Sequence, residues 1–130
     1  MGRKYSLAQR RLYLDMTDAI GADWIKVFQG DTEFYSAAYW DLLTNVWRHE
    51  TPVRKTDALR FMTGIKSAHT AGKYIDFALK SGVLEESENP KDARSKLIRL
   101  STEMRDRLDG FFDDAVDQVQ RMSAALPKQK

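Results

Sequence analysis

Apolar residues recur every three or four positions along most of this chain, and this pattern changes only after Gly82. A repeat of about 3.6 residues brings side chains back to one face of an α-helix. Over a chain of 130 residues the repeat predicts one mainly helical domain, since this length does not hold two full cores. The hydrophobic fraction of 42% is sufficient for that core.

Four helices are predicted before the pattern changes. The first covers residues 7–29, and the second begins after a cap at Asp31 or Thr32 and ends near His49. The third is short, and the fourth is capped by Ser67 and ended by Gly82. The side chains expected to face the core are Leu12, Met16, Ile20, Trp24 and Phe28, then Phe34, Ala37, Ala38, Leu42 and either Val46 or Trp47, then Ala58, Leu59, Met62 and Ile65, and finally Ala71, Tyr74, Ile75, Ala78 and Leu79.

After Gly82 the pattern predicts two short strands and a last helix. The strands cover residues 83–86 and 96–100, with Ile98 and Leu100 on one face. The polar segment between them predicts a hairpin with an extended loop. The last helix starts near Thr102, and its apolar positions are Met104, Leu108, Phe111, Ala115, Val119, Met122 and Leu126. From Leu108 onward their spacing is typical of a coiled-coil seam. This order of elements indicates a helix-turn-helix followed by a β-wing.

Charge is distributed in blocks, although the formal net charge is only +2. Residues 1–11 carry four positive and no negative side chains, residues 47–73 six and two, and residues 91–107 six and three. Residues 12–46 carry one positive and six negative side chains, and residues 74–88 and 108–120 are also acidic. Such blocks on a folded domain indicate a basic face, unless the charges mix on an ordinary solvated surface.

The fourth helix has a second face, opposite its apolar stripe. The residues on that face are Lys66, His69, Thr70, Lys73, Phe77 and Lys80. In a major groove, Lys and His can donate to guanine or phosphate, and a Thr methyl group can contact thymine. An ordinary solvated face explains this helix equally well.

The hairpin favours the first interpretation because its loop and returning strand carry Lys91, Arg94, Lys96 and Arg99. A narrow minor groove attracts such an arginine through its negative potential. Asp92 can orient Arg94 by a fork-type hydrogen bond, whereas a weak surface ion pair is the alternative. We therefore expect an interface with duplex DNA at Lys66, Ser67, His69, Thr70, Lys73, Lys91, Asp92, Arg94 and Lys96.

The segment of residues 67–108 combines several features in a definite order. They are Ser67 and Thr70 at the start of a helix, Asp76 within it, Gly82 at its end, Asp92-x-Arg94 in the loop after Asn89-Pro90, and Ile98-x-Leu100-Ser101 before the last helix. This third of the chain resembles the recognition helix, wing and following helix of MarR-type winged-helix transcriptional regulators. The two N-terminal helices match only in length, order and apolar character. The departures from the pattern are Phe77 at a usually polar position, Gly72 within the helix, and the acidic Glu85, Glu86 and Glu88 beside the wing.

The resemblance implies a homodimer whose N- and C-terminal helices intertwine. It also implies recognition helices in successive major grooves, wing arginines in minor grooves, and often a pocket for a small-molecule effector. Within one domain of residues 1–130, residues 1–30 and 102–126 would be dimerisation helices and residues 31–101 the helix-turn-helix with its wing. The apolar seam of the last helix also favours a dimer, because it is too long and too apolar for one small domain to cover. The interface residues are expected to be Leu12, Met16, Leu108, Phe111, Ala115, Val119 and Met122.

These observations predict a cytoplasmic, dimeric regulator that represses transcription by occluding DNA, with no enzymatic activity and no cofactor. The rival hypothesis is a winged-helix domain that serves as a protein-interaction module without sequence-specific DNA binding. Phe77 and the acidic residues beside the wing favour that rival.

Other classes of site have weak support in the sequence. The absence of cysteine excludes disulfides and thiolate chemistry, and no apolar run approaches the roughly 20 residues of a membrane span. His49 and His69 form no metal-binding motif, and the acidic residues of the last helix indicate a solvated face. Core packing explains most of the N-terminal aromatic residues better than a ligand pocket does. These residues are Tyr13, Trp24, Phe28, Phe34, Tyr35, Tyr39, Trp40 and Trp47.

Overall fold

A computed structural model describes residues 2–128, in which five α-helices and a three-stranded sheet follow the predicted order. In chain order these are α1 (Leu7–Val27), α2 (Ala37–Trp47), β1 (Val53–Arg54), α3 (Lys55–Phe61), α4 (Ala68–Lys80), β2 (Leu84–Glu88), β3 (Lys96–Leu100) and α5 (Thr102–Ala125). Short 3-10 turns cover Thr32–Phe34 and Leu126–Lys128. The prediction of a mainly helical winged helix-turn-helix is confirmed.

Helix α1 begins at a capping box. The Ser6 hydroxyl accepts a hydrogen bond from Gln9 N at 3.1 Å, and the Gln9 side chain accepts one from Ser6 N at 2.9 Å. This arrangement satisfies two backbone donors that the helix leaves unpaired. The helix ends two residues before the predicted position because Gln29 and Gly30 adopt positive φ angles of 56° and 85°.

Helix α2 begins later than predicted, and Ser36 caps it instead of Asp31 or Thr32. Ser36 has an extended backbone, with φ −152° and ψ 156°, and its hydroxyl accepts from Tyr39 N at 3.1 Å. The extended residue separates the turn Thr32–Phe34 from the helix. The buried face of α2 also differs from the predicted one. Tyr39 and Leu43 are buried although they were not predicted to be, and Ala37 is exposed although it was expected in the core.

The sheet has the order β1-β3-β2, and all its pairs are antiparallel. Strands β2 and β3 form the predicted hairpin, with Leu84 opposite Leu100 and Glu88 opposite Lys96. The two-residue strand β1 was not predicted, because it exists only through its pairing with β3 much later in the chain. Helix α3 contains the predicted Ala58 and Leu59, whereas Met62 and Ile65 follow its end.

The chain divides into two units. The first, the winged unit, is Glu33–Leu108 and contains α2, α3, α4, the sheet and the start of α5. Its fully buried side chains are Leu42, Leu43, Val46, Met62, Ile75, Leu84, Ile98 and Leu108. The second, the terminal unit, consists of the segments up to Thr32 and from Asp109 onward. In this unit the Trp24 ring lies 5.0 Å from that of Phe28 and 5.3 Å from that of Phe111.

Two residues assigned to a dimer interface belong to the core of the chain. Leu108 is 0% exposed and Phe111 is 4% exposed. Both side chains therefore pack within the chain itself, and their part in a dimer interface stays a prediction. Of the other predicted interface residues, Leu12, Met16, Ala115 and Met122 are half-buried and Val119 is exposed.

Candidate nucleic-acid interface

Helix α4 is fixed at both ends and along one face. The Ser67 hydroxyl caps it by accepting a hydrogen bond from Thr70 N at 3.3 Å, as the sequence predicted. Gly82 follows its end with a φ of 80°, a left-handed conformation that favours glycine. Ala71, Ile75 and Ala78 are buried and hold the helix on the winged unit.

We expect Ser67→Ala to lower the free energy of unfolding by about 1 kcal/mol, because the first turn of α4 loses its cap. Urea denaturation measures this change. Ser67→Asp is the matched control, since aspartate caps helices as well as serine does and should leave stability within a few tenths of a kcal/mol. Equal losses in both variants would contradict the capping role.

The opposite face of α4 is exposed and basic, as predicted. His69, Thr70 and Lys73 are exposed on this face, and so is Lys80 at the end of the helix. Lys66 is exposed too, but it precedes the cap Ser67 and therefore lies just before the helix, not on its face as predicted. Within residues 2–128, no carboxylate forms an ion pair with Lys66, Lys73 or Lys80. No ion pair from the described residues therefore neutralises the lysines of this face.

Phe77 lies on the exposed side of α4, but its ring also packs against other aromatic rings. Its ring lies 5.5 Å from that of Phe34, and the Tyr39 ring lies 5.1 Å from that of Tyr74. The Tyr39 hydroxyl also donates to the Tyr74 carbonyl oxygen at 2.9 Å. These four rings, here the aromatic cluster, attach α4 to α2 and to the turn before it. Phe77 stays 38% exposed because it lies at the margin of the cluster.

The wing presents Arg94 to solvent, with 94% of its side chain exposed. Asp92 Oδ1 accepts a hydrogen bond from Arg94 N at 3.1 Å and lies 3.5 Å from Arg94 Nε. The predicted fork is wrong, because only one carboxylate oxygen contacts Arg94 and its shorter contact is to the backbone. Asn89 Oδ1 accepts from Lys91 N at 3.0 Å in the same way, so two side chains shape the loop.

Each glutamate beside the wing has a cationic partner. Glu85 lies 3.1 Å from Arg99 across the strand pair, and Glu88 forms an ion pair with Lys96. The hydrogen bond to Glu88 raises the pKa of Lys96, which is therefore already engaged within the hairpin. Glu86 lies 3.1 Å from Lys55, a residue that the sequence analysis did not single out. The negative charge beside the wing is thus locally compensated.

A groove of about 280 Å³ lies between α3, α4 and the loop end of the wing. Its lining residues are Lys55, Thr56, Leu59, Ala68, Gly72, Asp76, Arg94, Ser95 and Lys96. A Cβ atom on Gly72 would meet Leu59 Cδ2 at 3.9 Å, an ordinary contact, so this glycine keeps the groove wide and does not relieve a clash. The groove places the wing arginine beside the first turns of α4.

The remaining candidates for chemistry lie apart from one another. His49 stacks on Phe61, with the ring centroids 5.7 Å apart, whereas His69 is on the exposed face of α4. The Arg54 guanidinium donates to both carboxylate oxygens of Asp57 and lowers the pKa of that carboxyl group. In the described part of the chain, no three acidic or histidine side chains are placed to hold a metal ion. No helix there is both long and apolar enough to span a membrane.

The aromatic residues that were expected mainly in the core are divided between core and surface. Trp24, Phe28, Phe34 and Tyr39 are buried. Tyr35 and Trp40 are exposed, and Trp47 is half-buried. Tyr13 is exposed and lines an apolar hollow of about 440 Å³ in the terminal unit. The other lining residues of this hollow are Tyr5, Gln9, Arg10, Leu14, Met122 and Leu126.

Comparison with known proteins finds similarity at the level of structure. No protein-family model and no curated protein sequence matches the chain. A mutant of MepR from Staphylococcus aureus superposes with a TM-score of 0.66 at 16% identity, over 97% of this chain and 86% of that chain. A transcriptional regulator of Thermotoga maritima gives 0.61 at 15% identity, over 90% and 79%. A mutant of MarR from E. coli, complexed with operator DNA, gives 0.56 at 16% identity, over 92% and 83%.

Identities this low establish a shared fold, and a fold alone does not determine function. The similarity covers at least nine-tenths of the chain in all three comparisons. It therefore extends to the two N-terminal helices, for which the sequence offered only length and order. The chain has the winged-helix fold of the MarR-type transcriptional regulators.

Proposed function

We propose that this chain is a dimeric transcriptional regulator that binds duplex DNA and represses transcription by occluding its site. The observation that carries the proposal is the unpaired basic face of α4 with Lys73, preceded by Lys66 and lying beside the 94% exposed Arg94 of the wing. A helix with such a face suits the major groove, and an exposed arginine on a projecting loop suits the minor groove.

The exposed face of α4 has the chemistry for reading bases. Lys73 and His69 donate hydrogen bonds, and the Thr70 methyl group can contact thymine. Lys66 and Lys91 are placed for phosphate contacts, which position a protein on DNA without reading sequence. The MarR mutant with the same fold is complexed with operator DNA, and this likeness supports the same class of ligand here.

A dimer accounts for the apolar surface of the terminal unit. The exposed large apolar residues of α1 and α5 are Leu7, Tyr13, Leu14, Val116 and Val119. A second hollow, of about 220 Å³, is lined in part by Leu12, Met16 and Met122, three of the predicted interface residues. Apolar residues that are grouped at the surface, as Tyr13 and Leu14 are around the first hollow, typically mark an association site. We assign it to a second copy of the chain, and a small-molecule effector stays a prediction.

The rival interaction module loses the two features that favoured it. Phe77 is a member of the aromatic cluster, so its presence on α4 has a structural cause. Glu85, Glu86 and Glu88 are each paired with a cation, so they do not form an unpaired acidic surface beside the wing. Neither feature now argues against contact with DNA.

We expect the chain to bind duplex DNA with a strong salt dependence. When a protein neutralises Z phosphates, the logarithm of its affinity falls with the logarithm of the salt concentration with a slope of about −0.9Z. For a dimer we therefore expect a slope steeper than roughly −4. Fluorescence anisotropy with random duplex and with the promoter beside the gene measures this slope. Arg94→Ala should flatten the slope and weaken binding most at A·T tracts, where the minor groove is narrow.

Lys26→Ala is the charge-matched control for this titration. Lys26 is exposed in the last turn of α1, outside the winged unit, so its removal should leave the A·T dependence unchanged. Absence of binding to any duplex at low salt would favour the interaction module over the proposed regulator.

A further inference from the structure

Lys55 is the first residue of α3, and its ammonium group contacts both the wing and α4. Its Nζ lies 3.1 Å from Glu86 Oε2 on β2 and 3.6 Å from Asp76 Oδ1 on α4. The Lys55 and Glu86 side chains are 32% and 33% exposed, so solvent screens this pair less than it screens a free surface pair. One cation thus joins three elements of the winged unit.

The other ion pairs of the wing stay inside the wing. Glu85 with Arg99 and Glu88 with Lys96 join β2 to β3, and Asp92 with Arg94 lies within the loop. Among residues 2–128, the ion pairs that connect the wing to α4 are those of Lys55. Apart from Asp76, α4 contributes only the small residues Ala68 and Gly72 to the groove, and the wing contributes Arg94, Ser95 and Lys96.

At its base the wing packs directly on α4, because β2 begins four residues after α4 ends and Val83 and Leu84 are buried. Toward the loop the two elements are separated by the groove, and packing determines their separation less there.

We propose that Lys55 is a positioning residue, which holds the middle of β2, beyond the packed base of the wing, at a set distance from α4 through Glu86 and Asp76. The effect of this positioning on DNA binding rests on the proposed function. Arg94 and Lys73 must reach two different grooves of one duplex, so the distance between their elements determines whether both contacts form together.

The direction in which DNA affinity changes when a carboxylate is neutralised distinguishes a positioning role from a purely electrostatic one. Removing a carboxylate beside bound DNA should raise affinity, because it removes repulsion of the phosphates. If Glu86 holds Lys55 in place, Glu86→Gln should instead lower affinity. Glu85→Gln is the matched control, since Glu85 precedes Glu86 on the same strand but pairs only with Arg99 of the hairpin.

The distance itself can be measured without DNA. The chain has no cysteine, so Lys80→Cys on α4 and Ala93→Cys on the wing introduce two unique sites for spin labels. Electron–electron double resonance should give a narrow distance distribution for this labelled protein. Lys55→Met and Glu86→Gln should broaden or shift it, whereas Lys55→Arg and Glu85→Gln should leave it unchanged. A distribution that stays equally narrow in Lys55→Met would overturn the positioning role.

Binding measurements then test the consequence for DNA. We expect Glu86→Gln to weaken binding about threefold or more, a typical size for coupling between contacting residues, while Glu85→Gln leaves it equal or stronger. Equal gains in both variants would show that Glu86 acts only through its charge and would overturn the inference. If the unsubstituted protein binds no duplex, the proposed function fails, and the spin-label distances alone decide whether Lys55 positions the wing.

Discussion

The double variant Leu14→Asp, Val119→Asp is expected to sediment as a monomer and to bind duplex DNA at least about a hundredfold more weakly than the unsubstituted protein. Leu14 is 57% exposed and Val119 is 46% exposed, so in the single chain both offer apolar surface to a partner. Two carboxylates placed in an apolar interface lose their hydration without gaining a counter-charge. Without the dimer, a second half-site no longer adds to binding, and linked sites commonly contribute a factor of about 10²–10⁴.

Analytical ultracentrifugation and an anisotropy titration with the same preparation test this prediction. Gln120→Asp is the control, because Gln120 is an exposed neighbour of Val119 and receives one such carboxylate without the removal of apolar surface. The far-ultraviolet circular dichroism of each variant verifies that α1 and α5 remain helical. A dimer that persists in the double variant, or a folded wild-type monomer at micromolar concentration, would contradict the proposed assembly.

Ile75→Ala should lower the free energy of unfolding by about 2–5 kcal/mol. Ile75 is 0% exposed and belongs to the buried stripe of α4, so its truncation leaves a cavity beneath the helix. Urea denaturation followed by tryptophan fluorescence measures the loss. A change of less than about 0.5 kcal/mol, typical of surface sites, would mean that α4 is not packed as the structure shows.

Lys73→Ala is the matched variant on the opposite face of the same helix. Lys73 is exposed and unpaired among the described residues, so we expect stability to change by less than about 0.5 kcal/mol. Its preference among DNA sites should nevertheless change by about 1–3 kcal/mol if it contacts a base edge. A variant that loses stability but keeps its site preference would place Lys73 outside the interface.

The sequence was most informative where local rules decide the structure. Ser67 and Gly82 delimit α4 because a side-chain cap and a positive φ are properties of single residues. The stripe of Ala71, Ile75 and Ala78 follows directly from helical periodicity. For the same reason the exposed basic face opposite this stripe could be predicted residue by residue.

Features that depend on distant parts of the chain could not be predicted. β1 is too short to have a pattern of its own, and it forms by pairing with β3. Phe77 lies on the polar side of α4 by periodicity, but the aromatic cluster brings Phe34 and Tyr39 to it. Lys55 has no local feature that distinguishes it from other lysines, since its partners are 21 and 31 residues away.

In the candidate interface, too, local features could be predicted from the sequence and features that depend on distant residues could not. The exposure of Thr70 and Arg94 followed from their places on a helix face and in a loop. Whether two of the wing glutamates are paired with a cation depended on cross-strand register, which places Glu88 opposite Lys96 and Glu85 opposite Arg99. The seam of α5 was correct as a line of apolar residues, but only the tertiary structure shows that Leu108 and Phe111 are used within the chain.

The compensated charges of the wing have a consequence for how the protein would reach its DNA. Residues 84–100 carry four acidic and four basic side chains, so the hairpin as a whole has no net charge. A neutral projection adds little to the long-range attraction that speeds encounter, which depends on net charge and its distribution. Encounter and sliding would then depend on α4 and its lysines. The wing arginine would act only at close range, prolonging the lifetime of a complex already formed.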